Sequence, residues 1–135
     1  MNYLIGKWYI HKNTNFDNFL KFTQVPWYQR KIAKHSNIDL EISKIDDKNF
    51  VKKINSMFYK NEERIILDGD YHKNNTVKRK YSIDDSENPT ITVDVQGSIV
   101  NWIEKIYYEE PHLVVEYIWK GKYEFVYAKQ FFLKY

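Results

Sequence analysis

Short stretches in which apolar and polar residues alternate run from residue 38 to the end of the chain. In the segment 38–45 the first, third and fifth residues are apolar and those between them are polar, which is the period of a strand with one buried face. Turn-like clusters such as 46–49 and 84–89 separate the stretches. The predicted strands are 38–45, 49–55, 57–67, 70–73, 77–84, 90–96, 99–109, 112–120 and 122–132. Such short antiparallel strands must close into a barrel or pack as a sandwich to protect their edges.

A helical insert is predicted between the first strand, residues 6–10, and the strand at 38–45. Residues 14–17 read Thr-Asn-Phe-Asp, a helix-start pattern, and apolar residues follow at helical spacing. Val25-Pro26 ends this helix, since proline interrupts a helix interior. A second helix can begin there and end near 36–37, since proline is tolerated in the first turn of a helix. Two short helices over about 15–35 are therefore expected.

Length, composition and charge limit the number of domains and the kinds of site that the chain can have. Its 135 residues suffice for one hydrophobic core, so 1–135 is predicted to be a single domain. The chain has no cysteine, which excludes disulfides and thiolate sites, and its four histidines show no metal-ligand spacing, so no metal or cofactor is expected. The start has no secretory pattern, which predicts a cytoplasmic protein. A net charge of +3 does not indicate a nucleic-acid partner.

Several motifs together resemble one family. They are Leu4–Trp8, Asn15–Lys21, Arg30–Ala33, Tyr59–Asn61 with Glu63, Leu113–Val115 and Val126–Lys129. In this order and spacing, over roughly residues 4 to 130, they resemble the intracellular lipid-binding proteins, the fatty-acid-binding group of the calycins. The resemblance implies an all-β fold: a ten-stranded antiparallel up-and-down barrel, or clam, with a helix-turn-helix lid between strands one and two.

The same resemblance implies a carrier rather than an enzyme. We expect a monomer that holds a long-chain fatty acid or similar hydrophobic ligand in its barrel and shuttles it between membranes or proteins. One alternative is a calycin-fold enzyme acting on a small hydrophobic substrate in the same cavity, with Tyr127 as acid and Arg79 as anion holder. Another is single-stranded nucleic-acid binding by the aromatic and basic cluster Lys78–Tyr81.

The ligand-contacting residues are predicted from strand alternation. Counting back from Tyr127 places Phe125 and Tyr127 inward on the last strand, and Val115 and Tyr117 inward on the strand before it. Four residues of the helical insert are expected to close the top of the barrel: Phe16, Leu20, Val25 and Tyr28. The alternative for most of these side chains is ordinary core packing.

A fatty-acid carboxylate also needs a cationic partner, because an unpaired ion in an apolar cavity is costly. The family typically places an Arg two residues before the Tyr of its last strand, and Phe125 occupies that position here. Arg79 can replace it if it lines the cavity, or can join the exposed pair Lys78 and Lys80. Lys105 is a second candidate, with its strand parity left open. If neither reaches the ligand, a neutral guest is expected, or a fatty acid whose carboxylate stays near the portal.

Basic and aromatic residues are concentrated on the two predicted helices. They are Lys21, Trp27, Arg30, Lys31 and Lys34. Such a mixture is favoured at membrane interfaces, and family members of this type can exchange ligand by collision with anionic membranes. The alternative is a solvated helix face.

Overall fold

The structure, a computed structural model, describes residues 3–56, 60–74, 77–84, 86–120 and 125–135. These described residues form ten strands and two helices. The strands are β1 Gly6–Thr14, β2 Ile38–Lys44, β3 Asn49–Ser56, β4 Lys60–Ile66, β5 His72–Asn74, β6 Val77–Asp84, β7 Thr90–Gln96, β8 Asn101–Glu109, β9 His112–Lys120 and β10 Phe125–Lys134. The helices α1 Phe16–Phe22 and α2 Trp27–His35 lie between β1 and β2. Part of the predicted strand 57–67 and part of 122–132 lie outside the described residues.

The strands form one curled antiparallel sheet in the order β4-β3-β2-β1-β10-β9-β8-β7-β6-β5. Strands that follow one another in the chain are neighbours in the sheet, except β4 and β5, which stand at its two ends, and β1 pairs with β10. Where the two ends of the sheet meet, the described residues form a single bridge between Leu67 and Tyr81, beside a hydrogen bond from Asp68 N to the Tyr81 carbonyl oxygen (2.9 Å). This line between β4 and β6 is called the seam below. The predicted clam architecture is confirmed.

Nine strands, β1 to β4 and β6 to β10, each pack one face into a common core. Its members are Leu4, Trp8, Leu40, Ile42, Phe50, Ile65, Leu67, Tyr81, Ile91, Val93, Val95, Ile106, Leu113, Val115 and Phe132. The Trp8 Nε1 donates to the Leu4 carbonyl oxygen (3.2 Å), so the largest core side chain also has its polar atom satisfied. The end of the barrel away from the helices is therefore filled with side chains.

Helix α1 anchors the lid to the barrel. Phe19 is buried and lies against Tyr117 and Trp102, with ring centroids 4.8 and 5.7 Å away. The helix begins after Asn15, which adopts a left-handed φ of 58°. The helix start predicted from Thr14 and Asp17 is thus wrong in detail, because Thr14 still belongs to β1.

Helix α2 is attached more loosely. None of its residues is buried, and Trp27 is 68% exposed. Arg30 ties it to the rest of the lid: its Nε lies 3.4 Å from an Asp17 carboxylate oxygen, and its Nη1 donates to the Val25 carbonyl oxygen (2.8 Å). Within the described ranges, neither helix has the length and apolar character needed to span a membrane.

Candidate functional site

A pocket of about 1050 Å³ opens between α2 and the ends of β2, β3 and β4. This mouth pocket is lined by Trp27, Tyr28, Lys31, Ile32, His35, Ser36, Asn37, Asp39, Asn55, Ser56 and Lys60. Trp27, Tyr28 and Ile32 are exposed here because α2 presents its apolar face to the opening and buries none of it in the barrel. The volume is at the upper end of the range found for small-molecule sites.

Inside the barrel, an interior ionic cluster gathers five side chains from five strands. It consists of Lys52, Glu63, His72, Arg79 and Glu104. The Glu63 carboxylate lies 3.8 Å from Lys52 Nζ, 3.8 Å from His72 Nε2 and 3.4 Å from Arg79 Nη1. A second Arg79 nitrogen, Nη2, lies 3.8 Å from Glu104. Arg79 therefore sits between two carboxylates.

Hydrogen bonds from two aromatic residues complete the cluster. The Tyr81 hydroxyl donates to Glu63, and Trp102 Nε1 donates to Glu104 Oε1 (3.0 Å). Burial, followed by the charge of Glu63, raises the pKa of Tyr81 far above its usual value, so this hydroxyl stays a neutral donor. Since Glu63 lies on β4 and its partners Arg79 and Tyr81 on β6, the cluster joins the two sides of the seam.

Burial along β10 shows that its even-numbered residues face the interior. Val126 and Ala128 are buried, whereas Tyr127 is 41% and Phe125 61% exposed. Pairing with β9 fixes this register, because Ala128 lies opposite Tyr117, which packs under the lid. The inward orientation predicted for Phe125 and Tyr127 is therefore wrong. Both faces of this strand carry aromatic residues, so alternation alone did not determine its parity.

This correction also affects the carboxylate clamp. The inward positions of β10 are Val126, Ala128, Gln130 and Phe132. Gln130 is buried and accepts a hydrogen bond from the Tyr117 hydroxyl at Oε1 (2.6 Å). The described part of the last strand thus presents no Arg or Tyr to the interior, and an Arg-x-Tyr clamp is not built there.

The other predicted ligand contacts lie in three places. Val115 belongs to the core, while Tyr117 packs under α1 against Phe16 and Phe19. Phe16 and Leu20 also line a second pocket, of about 310 Å³, between the helices and β1. Val25 is half-buried in the turn between the helices, and Tyr28 lines the mouth pocket. Phe16, Leu20 and Tyr28 thus do lie at the lid, as the sequence predicted.

The two cationic candidates point in opposite directions. Arg79 shares the inward face of β6 with Val77 and Tyr81. Lys105 lies on the outer face of β8, opposite Glu116 of β9, whereas Trp102, Glu104 and Ile106 face inward. The interior orientation weighed for Lys105 is therefore wrong.

Four members of the ionic cluster, Lys52, Glu63, His72 and Glu104, escaped the sequence-based site prediction. A signal existed, because Lys52 has the parity of Phe50 and Ile54, both apolar. Glu63 likewise has the parity of Ile65. Glu62 and Glu63 are adjacent acidic residues on β4, yet only Glu62 faces solvent.

The basic residues predicted for the portal lie on the lid. Lys21, Lys31 and Lys34 are exposed, as is Trp27, and Lys31 and Trp27 line the mouth pocket. Arg30 differs, since its side chain is 20% exposed and paired with Asp17. Three lysines therefore remain at the surface where a charged partner can reach them.

Two histidines meet on the outer face of the barrel. His11 Nδ1 and His112 Nε2 lie 2.9 Å apart, and the rings stack. Partial burial and the nearby charges of His11 and Lys12 lower the pKa of His112. No group of three or more potential metal ligands occurs among the described residues.

Tyr127 takes part in a different arrangement, on the outer face. Its hydroxyl and that of Tyr107 both donate to the buried Glu116 carboxylate. The hydrogen bond to Glu116 is the main cause that raises the pKa of Tyr127 to about 12. A free tyrosine ionises near about 10, so the folded state holds this proton more tightly than the unfolded state. The resulting stabilisation is fully present below about pH 10, where tyrosine in the unfolded chain ionises, and is lost as the pH rises through about 12.

We therefore expect Tyr127→Phe to flatten the alkaline loss of stability and to leave ligand affinity within about twofold, because the side chain lies outside the barrel. Thermal unfolding followed across the alkaline range tests the first part. Tyr3→Phe, at a 65% exposed position, is the control. Parallel stability profiles for the Tyr127→Phe variant and the parent protein would contradict the expectation.

Comparison with solved structures gives consistent matches over the whole chain. The REP1-NXSQ fatty acid transporter matches with a TM-score of 0.86 at 21% identity, covering 100% of this chain and 98% of that one. Fatty-acid-binding protein 1 of Echinococcus granulosus matches with a TM-score of 0.85 at 16% identity, covering 99% and 98%. A Schistosoma mansoni fatty acid binding protein in complex with arachidonic acid matches with a TM-score of 0.85 at 17% identity, covering 100% and 98%.

No protein-family model matches the sequence, and no curated protein matches it either. The likeness therefore concerns the three-dimensional structure. The chain has the fold of the fatty-acid-binding proteins, which confirms the fold that the sequence resemblance implies.

Proposed function

We propose that this protein is a non-catalytic carrier that takes a long-chain hydrophobic ligand through the mouth pocket and shields it from water. The observation that carries the proposal is the pocket of about 1050 Å³ beneath α2. A helix that buries none of its residues leaves an aromatic face available for an apolar guest. The proteins that share this fold include a fatty acid transporter and a fatty-acid-binding protein.

Apolar burial can supply the affinity of such a carrier. Ten buried methylenes at roughly 0.8 kcal/mol each amount to about 8 kcal/mol before ordering and desolvation costs. A free energy of that size corresponds to binding on the order of 1 μM. A long acyl or polyprenyl-like chain therefore needs only a modest contribution from its polar end.

The positions of the two proposed catalytic residues favour a carrier over an enzyme. The enzymatic alternative requires Tyr127 as acid and Arg79 as anion holder at one substrate. Tyr127 lies on the outer face of β10, whereas Arg79 lies inside the barrel. One small substrate does not contact both side chains, so this enzymatic mechanism is not supported.

Native mass spectrometry of the protein as purified from cells, followed by organic extraction, tests the carrier. A hydrophobic compound at about one per chain is the expected result. A protein that emerges empty, and that also fails to take up a neutral polarity-sensitive dye such as Nile red, would contradict the proposal. A second test separates binding from turnover, because extracted ligand returned to the protein should be recovered chemically unchanged.

We also propose that the lid contacts anionic membranes during ligand exchange, and that the protein works as a cytoplasmic monomer. Lys21, Lys31 and Lys34 are exposed next to Trp27, which is 68% exposed. Lysines near an anionic surface contribute about 1 kcal/mol each, and an interfacial aromatic residue adds apolar contact.

The double substitution Lys31→Glu and Lys34→Glu should slow ligand transfer to phosphatidylserine-containing vesicles at least about tenfold at low salt, because each reversal replaces attraction with repulsion. Stopped-flow transfer of a fluorescent lipid measures the rate. The matched control is Lys73→Glu with Lys78→Glu, two exposed lysines that face each other on β5 and β6. Equal slowing by both double variants would show that net charge, and not the lid, governs transfer.

A further inference from the structure

The interior ionic cluster is electrically complete without a ligand. Two cationic side chains, Lys52 and Arg79, face two carboxylates, Glu63 and Glu104, so these four charges cancel. Each cation lies within 4 Å of at least one of these carboxylates, and Arg79 lies within that distance of both. Glu63 and Glu104 have side chains only 1% and 6% exposed, so water screens them little.

This arrangement is unfavourable for a second anion. A ligand carboxylate brought to Arg79 would lie beside Glu63 and Glu104 as well, and their repulsion offsets the attraction of the guanidinium. The incoming carboxylate would also lose its hydration on entering the barrel. The two cations of the interior cluster, Lys52 and Arg79, are thus already neutralised by its own carboxylates.

The inward positions of β10 from Val126 to Phe132 carry no charge. The inward positions of β10 are three apolar residues and Gln130, which is hydrogen-bonded to the Tyr117 hydroxyl. Hydroxyl and amide groups of this kind recognise neutral polar groups by hydrogen bonds and do not neutralise a charge.

We infer that the ligand is a long-chain lipid with an uncharged polar end, such as an alcohol, amide or ester, and not an ionised fatty acid. The inference rests on the proposed carrier function and names the chemical class of its ligand. The self-neutralised cluster then acts as a selectivity element that excludes anionic lipids of the same chain length.

The test compares oleic acid, oleyl alcohol and oleamide, which share one chain and differ at the polar end. Each displaces Nile red from the full-length protein at pH 8, where a carboxylic acid in water is ionised and an imidazole is neutral. The alcohol and the amide should bind at least about tenfold more tightly than the acid. Equal or tighter binding of the acid overturns the inference and leaves the carrier function standing. Binding of none of the three overturns both.

A variant links the selectivity to the cluster. Glu104→Gln keeps an acceptor for Trp102 Nε1 and removes one of the two charges facing Arg79. It should strengthen oleic acid binding at least about fivefold and leave oleyl alcohol within about twofold. Glu62→Gln is the matched control, because Glu62 lies next to Glu63 on the exposed face of β4. It should change the affinity for neither oleic acid nor oleyl alcohol. A folded Glu104→Gln protein whose affinity for oleic acid is unchanged overturns the role of the cluster. If this variant does not fold, the parent protein's preference between oleic acid and the two neutral lipids decides whether the inference stands.

Discussion

Replacing Glu63 by Gln should lower the free energy of unfolding by about 3–5 kcal/mol, the cost typical of removing one partner from a buried ion pair. Glu63 is 1% exposed and accepts the hydrogen bond of Tyr81 while facing Lys52 and Arg79. The substitution leaves both cations buried beside a neutral amide. The folded protein then still bears the cost of desolvating the two cations but loses their attraction to the Glu63 carboxylate. Urea unfolding monitored by circular dichroism measures the loss.

Glu62→Gln is again the matched control, since it removes the same charge from the adjacent exposed position. Its effect should stay within about 0.5 kcal/mol. Adding Lys52→Met to Glu63→Gln should recover part of the loss, because the pair is then removed together. A loss below about 1 kcal/mol for Glu63→Gln would show that water reaches this cluster and screens it.

Replacing Phe19 by Ala should lower the free energy of unfolding by about 3–5 kcal/mol, as large-to-small changes at buried aromatic positions do. Phe19 is the buried residue of α1, and it contacts Tyr117 and Trp102 on the barrel. Its loss also detaches the lid, so bound Nile red should dissociate at least about tenfold faster, as measured by stopped-flow fluorescence.

Trp27→Ala removes an even larger aromatic side chain from the other helix of the lid. Because Trp27 is 68% exposed, its removal should change the free energy of unfolding by less than about 0.5 kcal/mol. Similar losses for the two variants would mean that α2 contributes as much as α1 to holding the lid in place.

The strand pattern was predictable because alternation survives wherever one face of a strand is buried. The segments predicted at 77–84, 90–96 and 112–120 coincide with β6, β7 and β9. The first strand was predicted to end at Ile10 but extends to Thr14. A register irregularity between Ile10 and Lys12 breaks the alternation there, so the pattern appeared to stop early.

The binding site was harder to predict from sequence than the fold. The sequence left the orientation of Arg79 open, although this residue has the parity of Val77 and Tyr81. The orientation of Tyr127 depended on the pairing of β10 with β9, which alternation on β10 could not supply. The ionic cluster joins residues from β3, β4, β5, β6 and β8. These residues come together only when the sheet closes, so no local sequence motif predicts the cluster.

At the seam, the described residues of β4 and β6 are joined by a single backbone bridge and by side-chain contacts, so the barrel is held differently there than at its paired strands. Backbone ladders hold the other strand boundaries, and parting them exposes amides and apolar side chains together. Between β4 and β6 the single bridge at Leu67 and Tyr81 is supplemented by the contacts of Glu63 with Arg79 and with the Tyr81 hydroxyl. Charges that separate regain hydration, which returns part of the energy that their pairing supplied. Opening at the seam would therefore expose charges that water can solvate, whereas parting a backbone ladder of the described sheet would expose amides and apolar side chains.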